Sequence, residues 1–456
     1  MDNATAPSEK RLQCGLLIGL LLIFLAVWKG DGGYRDLGEY LNNAENLWLK
    51  GDLSRPDQPG HYYIHPLGIA VLSGPFVLAG AVIEKISGGA IGHRDVAAFS
   101  IPFFSALACL LLYKIGRLLN LSPLVSLWGA LMLGLATPMI SFTRLYFGEG
   151  GIAFSICLAS WAFLHSDRTD GRAGLGWALL AGAGLAGATA CHFNNLFISA
   201  ILWMGMAATF FIYRDRNARI AALSLVPLLA GAALLYMNAR RFGGPFLTGY
   251  EAQMEAEAQS RSAHAMSLFN VPSNLQYFGV WLLRVPWVLF AMYAMIVLLF
   301  RQPFWAMSVV AATLAHLFFF QTFVGLRAFP IRYHQSAVIL ASIGLLAIGD
   351  WLWRRWESRG LIYAGLVMLL WNAGHFIRST DTPSTQTFWV PPDGGGLNAY
   401  VWYMAPQSER SVFGSPMGPL QWTVLIALLA SGLAFTAWAI REAARISPAQ
   451  PEAAAR

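Results

Sequence analysis

Long apolar runs recur along almost the whole chain, and they constrain its fold more than any other feature. A helix needs about 20 predominantly apolar residues to cross the hydrocarbon core of a bilayer. Candidate runs lie at 14–28, 96–116, 122–140, 150–166, 173–190, 194–213, 218–238, 277–300, 304–323, 333–351, 360–377 and 421–440. The sequence therefore predicts an all-α integral membrane protein, a bundle of about 12 transmembrane helices.

The scarcity of charge argues against a large soluble domain. Only 12% of the residues are charged and 56% are hydrophobic, whereas soluble domains average about 25% charged residues. The first run follows two basic residues and is not followed by a small-residue cleavage site, so we expect it to be retained as a span. The cysteines lie in or beside apolar runs without a C-x-x-C pair, which indicates neither a disulfide frame nor a metal site; they are Cys14, Cys109, Cys157 and Cys191.

The placement of basic residues predicts how the chain threads the membrane, because cytoplasmic loops carry an excess of Lys and Arg. The ambiguous segment is 66–86. If it does not cross, the basic groups that flank the spans all fall on one side with Lys10; if it crosses, every later group moves outside. We therefore interpret 66–86 as a helix in the outer interface, with both ends of the chain cytoplasmic. These groups contain Lys114, Arg117, Arg168, Arg172, Arg214, Arg216, Arg219, Arg301, Arg354, Arg355, Arg359, Arg441 and Arg445.

The outer face then receives three long connections, 29–95, 239–276 and 378–420. Within the first, residues 36–50 have the spacing of an amphipathic helix that lies along the membrane surface and presents its carboxylates to water. Asp36 and Glu39 also have the spacing of a helix capping box, a structural role compatible with a chemical one. The apolar face of this helix comprises Leu37, Tyr40, Leu41, Ala44, Leu47 and Trp48; the polar face comprises Asp36, Glu39, Asn43, Asn46 and Lys50.

A second motif in the same loop reads Tyr62-x-x-His65-Pro66-Leu67-Gly68. Pro66 suits the first position of a helix. His65 before it can be an ordinary polar residue of the interface.

Taken in order, these motifs resemble the GT-C superfamily of polyprenyl-phosphate-sugar-dependent glycosyltransferases, in particular its protein O-mannosyltransferase and aminoarabinose-transferase branches. The resemblance covers roughly 14–350. After the first outer loop it rests on the stretch 141–149, which ends in Glu149, on 238–250, and on the pair Arg332-Tyr333. Many members carry Asp-Glu where this chain has Asp36-Leu37, which leaves Glu39 as a substitute acid.

The resemblance implies an inverting transfer of sugar at the outer interface, with Asp36 as the general base. Glu149 and Glu39 are implied on the acceptor or metal side. Some members bind a divalent cation, Mg²⁺ or Mn²⁺, and others need none, so the cation stays open; Asp36 and Glu149 are its candidate ligands.

The same resemblance points to Arg332 and Tyr333 as ligands of the donor phosphate; Arg240 and Arg241 are added because they lie on the predicted outer face, against the usual charge bias. Arginine suits this task, because its planar guanidinium matches phosphate geometry. Alternatives remain: snorkelling of Arg332 to lipid headgroups, ion pairs of Arg240 and Arg241 with Glu251 or Glu255, and a structural pair of Arg144 with Glu149. The residues expected to line the cavity are Tyr40, Tyr62, His65, Arg144 and Tyr250, with His192, Asn194 and Asn195 as a polar outer turn.

The predicted partners are a polyprenyl-phosphate-linked sugar, a lipid-linked or glycan acceptor, and membrane lipids, without nucleic acid. The predicted location is a bacterial inner membrane with the site on the periplasmic face. We expect a catalytic core at 1–350, further transmembrane helices at 351–445 and a disordered tail at 446–456. A transporter or lipid flippase is the alternative, although such proteins show repeat symmetry and polar residues near mid-bilayer, neither of which the sequence displays.

Overall fold

The chain forms a bundle of helices with a small folded layer built from the first long connection. The computed structural model describes residues 6–28, 35–55, 58–63, 65–143, 146, 148–193, 195–213, 215–247, 287–324, 335–380 and 419–447. Its helices are α1 Ala6–Val27, α2 Arg35–Glu45, α3 Gly68–Leu72, α4 Gly74–Ile86, α5 His93–Ala98, α6 Ser100–Leu118, α7 Pro123–Leu135, α8 Met139–Phe142, α9 Gly148–Arg168, α10 Gly171–Cys191, α11 Asn195–Phe210, α12 Arg216–Phe242, α13 Trp287–Leu299, α14 Pro303–Val324, α15 Gln335–Thr380 and α16 Pro419–Ile446.

These helices confirm the predicted helical membrane fold. Each of the 12 predicted apolar runs overlaps a helix, and α15 contains two of them. Within the described residues, six helices are long and apolar enough to cross a membrane, and four shorter ones are apolar as well. The exact number of crossings stays a prediction.

Helix α15 is two helices joined at a break. The backbone at Glu357 has φ 52° and ψ −142°, which is outside the helical region. Trp128 of α7 contacts both halves, because its indole Nε1 donates to the Leu361 carbonyl at 2.8 Å while a Cβ on Gly349 would lie 3.0 Å from its ring. The break therefore separates the two runs that the sequence predicted there.

Charged side chains tie several helix ends together at one end of the bundle, which we call the basic end. Arg117 Nε lies 2.8 Å from the Glu9 carboxylate. Arg301 donates to the Leu119 carbonyl at 2.6 Å and lies 3.5 Å from the Asp350 carboxylate. Residues that the charge pattern assigned to one side of the membrane thus meet in space.

The segment 66–86 forms two short helices, α3 and α4, and neither is among the candidate spans. Thirteen residues of α4 rise only about 20 Å, against a hydrocarbon core of about 30 Å. Large apolar side chains of α4 are exposed, including Val82 at 59% and Ile86 at 81%. These features agree with a helix that rests in the interface.

The first outer loop differs from its prediction in one important respect, since the polar face of α2 is covered. Tyr40, Leu41 and Ala44 are buried as expected, but Glu39 and Asn43 are buried as well. The prediction that this helix presents its carboxylates to water is therefore wrong for Glu39. The reason is that the chain returns to that face after a short antiparallel hairpin, β1 Ser54–Arg55 and β2 Gln58–Tyr62, and its next residues contact Glu39 and Asn43 through His65.

Two local boundaries also differ. Helix α2 begins at Arg35, so Asp36 lies in its first turn and not at the preceding cap position. A π-helical turn, Asn46–Lys50, follows α2. Pro66 precedes α3 by two residues and is buried, so it does not occupy the first helical position.

Ionic contacts join the short helices of this layer. His93 Nδ1 lies 2.5 Å from Glu84 of α4, and its Nε2 lies 3.5 Å from Glu45 of α2. Lys50 Nζ lies 2.6 Å from the same Glu45 carboxylate. Burial alone would raise the pKa of Glu45, but the hydrogen bond and charge of Lys50, together with those of His93, outweigh it and lower that pKa below its usual value.

We predict that Gly68→Ala destabilises the protein by about 1–3 kcal/mol, because overpacking has that typical cost. A Cβ at Gly68 would lie 2.2 Å from Ala190 C and Cys191 N at the end of α10. Thermal unfolding in detergent measures the effect. Gly38→Ala is the control, because a Cβ at Gly38 meets nothing within 4 Å and helical Ala is favoured by about 0.5–1 kcal/mol. Equal melting temperatures for Gly68→Ala and wild type would contradict this contact.

We also predict that the layer formed by the first long connection becomes less stable at acidic pH. A carboxyl whose pKa is lowered on folding contributes stability above its unfolded value, and that contribution disappears as the pH falls through the folded value. The Glu45–Lys50 pair is partly exposed, so the change is only about 0.5 kcal/mol. Hydrogen exchange of residues 38–50, corrected for intrinsic rates, should accelerate about twofold from pH 6 to pH 3. Glu45→Gln should abolish that acceleration, and an unchanged pH response in this variant would refute the assignment.

Candidate active site at the outer end of the bundle

The centre of the candidate site is the guanidinium of Arg241, near the end of α12. Its Nη2 donates to the Tyr63 carbonyl and, at 3.4 Å, to the His65 carbonyl. The side chain is 9% exposed, and its Nε is buried without a hydrogen-bond acceptor among the described residues. One arginine thus fixes the backbone of the predicted 62–68 motif.

Glu39 and His65 face each other beside this contact. His65 Nε2 lies 3.4 Å from the Glu39 carboxylate, and the imidazole stacks on the Tyr40 ring at 4.2 Å between centroids. Asn43 reaches the His65 carbonyl at 3.5 Å. The first turns of α2 and the 62–68 motif, which the sequence singled out separately, therefore form one buried acid–imidazole pair.

A second polar contact extends this cluster toward α5. Asn42 Nδ2 donates to the Tyr63 hydroxyl at 2.8 Å, and Arg94 Nη2 donates to Asn42 Oδ1 at 3.1 Å. Sequence reasoning missed all three residues. Arg94 carried a usable signal, because it is an arginine in a connection that the charge pattern places outside.

The turn of α9 that bears Glu149 adjoins the same layer. A Cβ on Gly151 would lie 3.1 Å from Cys191 Sγ and 3.1 Å from Ile69 of α3. Tyr146, just before α9, shares a hydrogen bond of 2.5 Å with the Ser73 hydroxyl. Glu149 is 7% exposed, so it is a buried acid at the helix start, as the sequence predicted.

The polar turn between α10 and α11 also lies at this end. Asn195 donates to the Ala188 carbonyl at 3.0 Å, and its Oδ1 accepts from the Ser336 hydroxyl at 2.6 Å. This bond joins the turn to the first residues of α15.

The structure brings together five of the predicted site residues and leaves others outside its description. Glu39, Tyr40, His65 and Arg241 form the cluster, and Tyr62 lies in the strand that packs against the end of α12. Arg240 is exposed and stands apart from these contacts. The side chain of Asp36, and the whole of Asn194, Arg144, Tyr250, Arg332 and Tyr333, lie outside the described residues.

A divalent cation finds no ready site in the described part of the chain. Among those residues, no group of three His, Cys, Asp or Glu side chains could hold a metal ion. Because the Asp36 carboxylate is not described, the predicted Asp36–Glu149 ligand pair stays a prediction.

Comparison with known proteins yields matches only among solved structures. No protein-family model matches the chain, and no curated protein matches it. A crystal structure of ArnT from Cupriavidus metallidurans bound to undecaprenyl phosphate aligns with 97% of this chain and 78% of its own length, at 15% identity and a TM-score of 0.49.

Two oligosaccharyltransferase structures from Archaeoglobus fulgidus also align. The AglB structure in complex with an inhibitory peptide and a dolichol-phosphate gives 13% identity and a TM-score of 0.45, with coverage of 93% of this chain and 63% of that one. The structure tethered to an acceptor peptide gives 11% identity and a TM-score of 0.42, with coverage of 97% and 56%. At these identities the similarity concerns the arrangement of helices, and the reaction has to be argued from the chain's own residues.

Proposed function

We propose that this membrane protein is a glycosyltransferase that moves a sugar from a polyprenyl-phosphate donor to an acceptor hydroxyl at the outer face of a bacterial inner membrane. One observation carries the proposal. The buried Arg241 guanidinium lies against the carbonyls of the 62–68 motif, on the same end of the bundle as the Glu39–His65 pair.

A second buried arginine of α12 is an example of purely structural pairing. Arg219 is 1% exposed and lies 2.8 Å from the Asp215 carboxylate; it also donates to the Thr169 carbonyl at 3.0 Å. Its charge is neutralised within the protein. Arg241 has carbonyl acceptors but no carboxylate partner among the described residues, so its charge is available to an anion.

A phosphate is the anion that fits this setting best. Guanidinium groups bind phosphate oxygens through charge-assisted hydrogen bonds, and burial strengthens such contacts. We infer that Arg241 binds the donor phosphate, with Arg332 and Tyr333 as further candidates on the family resemblance of their sequence. The exposed Arg240 is the weaker candidate of the arginine pair.

The reaction needs only groups at this end of the bundle. The acceptor oxygen forms a bond to the anomeric carbon of the sugar, the bond from that carbon to the phosphate oxygen breaks, and polyprenyl phosphate leaves as an anion. The acceptor proton passes to a carboxylate, for which Asp36 in the first turn of α2 is the proposed base. Glu39 is one turn further along the helix and pairs with His65, so we assign it to orienting the motif.

The interfacial layer suits a substrate that is half lipid. Exposed apolar side chains of α4, such as Val82 and Ile86, hold the layer against the hydrocarbon boundary. A long isoprenoid tail can then stay in the bilayer while its phosphate reaches Arg241. The acceptor is proposed to be lipid-linked or a glycan, because the connections offer little room for a large acceptor-binding domain.

We predict that Asp36→Asn lowers sugar transfer by about 10²–10⁴-fold, the usual contribution of a general base, without loss of folded protein. Purified protein in liposomes would receive a panel of undecaprenyl-phosphate sugars and cell-envelope glycolipids, and released undecaprenyl phosphate would be quantified. Asp52→Asn is the matched control, because Asp52 is an exposed carboxylate of the same loop whose hydrogen bonds among the described residues go to Ser54. Full activity of Asp36→Asn would remove this base from the mechanism.

We further predict that Arg241→Lys weakens binding of undecaprenyl phosphate about tenfold, because lysine cannot reproduce the guanidinium contacts. Native mass spectrometry of the purified protein gives the affinity. Arg240→Lys makes the same change at the exposed neighbour and should alter it less than twofold. If Glu251 or Glu255 is the true partner of Arg241, neutralising that glutamate would destabilise the protein and Arg241→Lys would leave affinity unchanged.

One outcome would replace the proposal altogether. If the reconstituted protein moves undecaprenyl phosphate across the bilayer but transfers no sugar from any donor of the panel, the transporter alternative holds.

A further inference from the structure

A separate group of side chains lies at the basic end of the bundle, where α6 and α9 end and α10 begins. Trp161 meets Trp177 edge to face at 5.0 Å between ring centroids. The His165 imidazole stacks on Trp177 at 4.6 Å and meets Trp161 edge-on at 5.0 Å. Three rings from two helices thus form an aromatic cluster in which a histidine is held rigidly.

Two permanent cations border this cluster. Lys114 Nζ lies 5.1 Å from the centroid of Trp161, and Arg168 follows His165 by one helical turn. Residues three apart are neighbours on a helix surface, so Arg168 lies on the same face of α9 as His165. We call Lys114, His165 and Arg168 the basic triad.

The basic triad has no acidic partner in the part of the chain that the structure describes. None of its nitrogen atoms makes a hydrogen bond or an ion pair there, and the only contacts are with the aromatic rings. The nearest acid along the chain, Asp167, faces elsewhere, since it accepts from Tyr213 at 2.8 Å and from Gln302 at 2.7 Å.

The basic triad differs from Arg117 and Arg301, which are neutralised. Arg117, one turn after Lys114, pairs with Glu9 at 2.8 Å. Arg301 pairs with Asp350 at 3.5 Å. Lys114 and Arg168 therefore lie beside the aromatic cluster without an acid among the described residues, an arrangement that an external anion can complete.

The surroundings indicate which anion this is. Half-buried tryptophans beside basic residues at the ends of membrane helices are typical of the headgroup layer of a bilayer. Basic clusters at this depth on the cytoplasmic side attract anionic lipids. Lys114 and His165 are themselves half-buried, so they are positioned by the protein and do not extend freely into water.

We propose that the basic triad and its two tryptophans bind the phosphate of an anionic phospholipid headgroup in the cytoplasmic leaflet. Lys114 and Arg168 contact the phosphate oxygens, and the tryptophan edges contact the glycerol and the upper acyl chain. This site lies at the opposite end of the bundle from Arg241 and does not rest on the proposed function.

The test uses the full chain in detergent, titrated with dihexanoyl-phosphatidylglycerol or dihexanoyl-phosphatidylcholine and followed by native mass spectrometry. Wild-type protein should prefer the phosphatidylglycerol roughly tenfold. The double variant Lys114→Gln, Arg168→Gln should lose that preference. The control double variant Arg172→Gln, Arg355→Gln removes the same charge from exposed arginines predicted on the same membrane side and should keep it.

Three results would overturn the proposal: equal binding of both lipids by the wild type, equal loss in the control variant, or competition by glycerol 1-phosphate as effective as that of the anionic lipid. The last would assign the site to a soluble phosphate. If the double variant does not fold, Arg168→Gln alone decides, because Arg168 is exposed and makes no described contact; it should reduce the preference about threefold.

Discussion

Polar groups beside a bilayer have to be paired within the protein, because the lipid next to them offers no hydrogen-bond partner. The first outer loop meets this constraint by folding back on itself, so that α2 and the 62–68 motif bury their polar atoms against each other. Arg241 completes the arrangement by binding two carbonyls of that motif. The position of α2, the turn before α3 and the end of α12 all depend on this small set of contacts.

Buried arginines have different partners at the two ends of the bundle. At the basic end, Arg219 and Arg117 are neutralised by Asp215 and Glu9. Near the 62–68 motif, Arg241 is bound by uncharged carbonyls and lies beside the Glu39–His65 pair, without a carboxylate partner among the described residues. An uncompensated buried charge is costly, so the two arrangements differ in how much of the charge those residues neutralise.

Much of this fold could be predicted from sequence, because the length of an apolar run and the side on which its flanking arginines fall are determined locally. In the 66–86 segment, charge parity indicated a helix in the interface, and the structure has two short helices there that are not among the candidate spans; whether the segment crosses stays a prediction. The apolar face of α2 was also predictable from helical spacing. These properties depend on the thickness of the bilayer and on the geometry of a single helix, and not on how the helices pack against each other.

The residues that pack over the polar face of α2 could not be predicted. Helical spacing says that Glu39 and Asn43 share a face, but it does not say what lies on it, and His65, which contacts both, belongs to no helix or strand. Asn42, Tyr63 and Arg94 were missed for the same reason, because their contacts join residues 21 and 52 positions apart. For Asp36 and Arg332, the roles assigned from family resemblance remain predictions.

The absence of a side chain at Gly68 has a consequence for motion. The backbone of Gly68, the last residue of the 62–68 motif, packs directly against the last turn of α10 without an intervening side chain. Moving this segment away from α10 would break a direct backbone contact, so we expect the two to be displaced together.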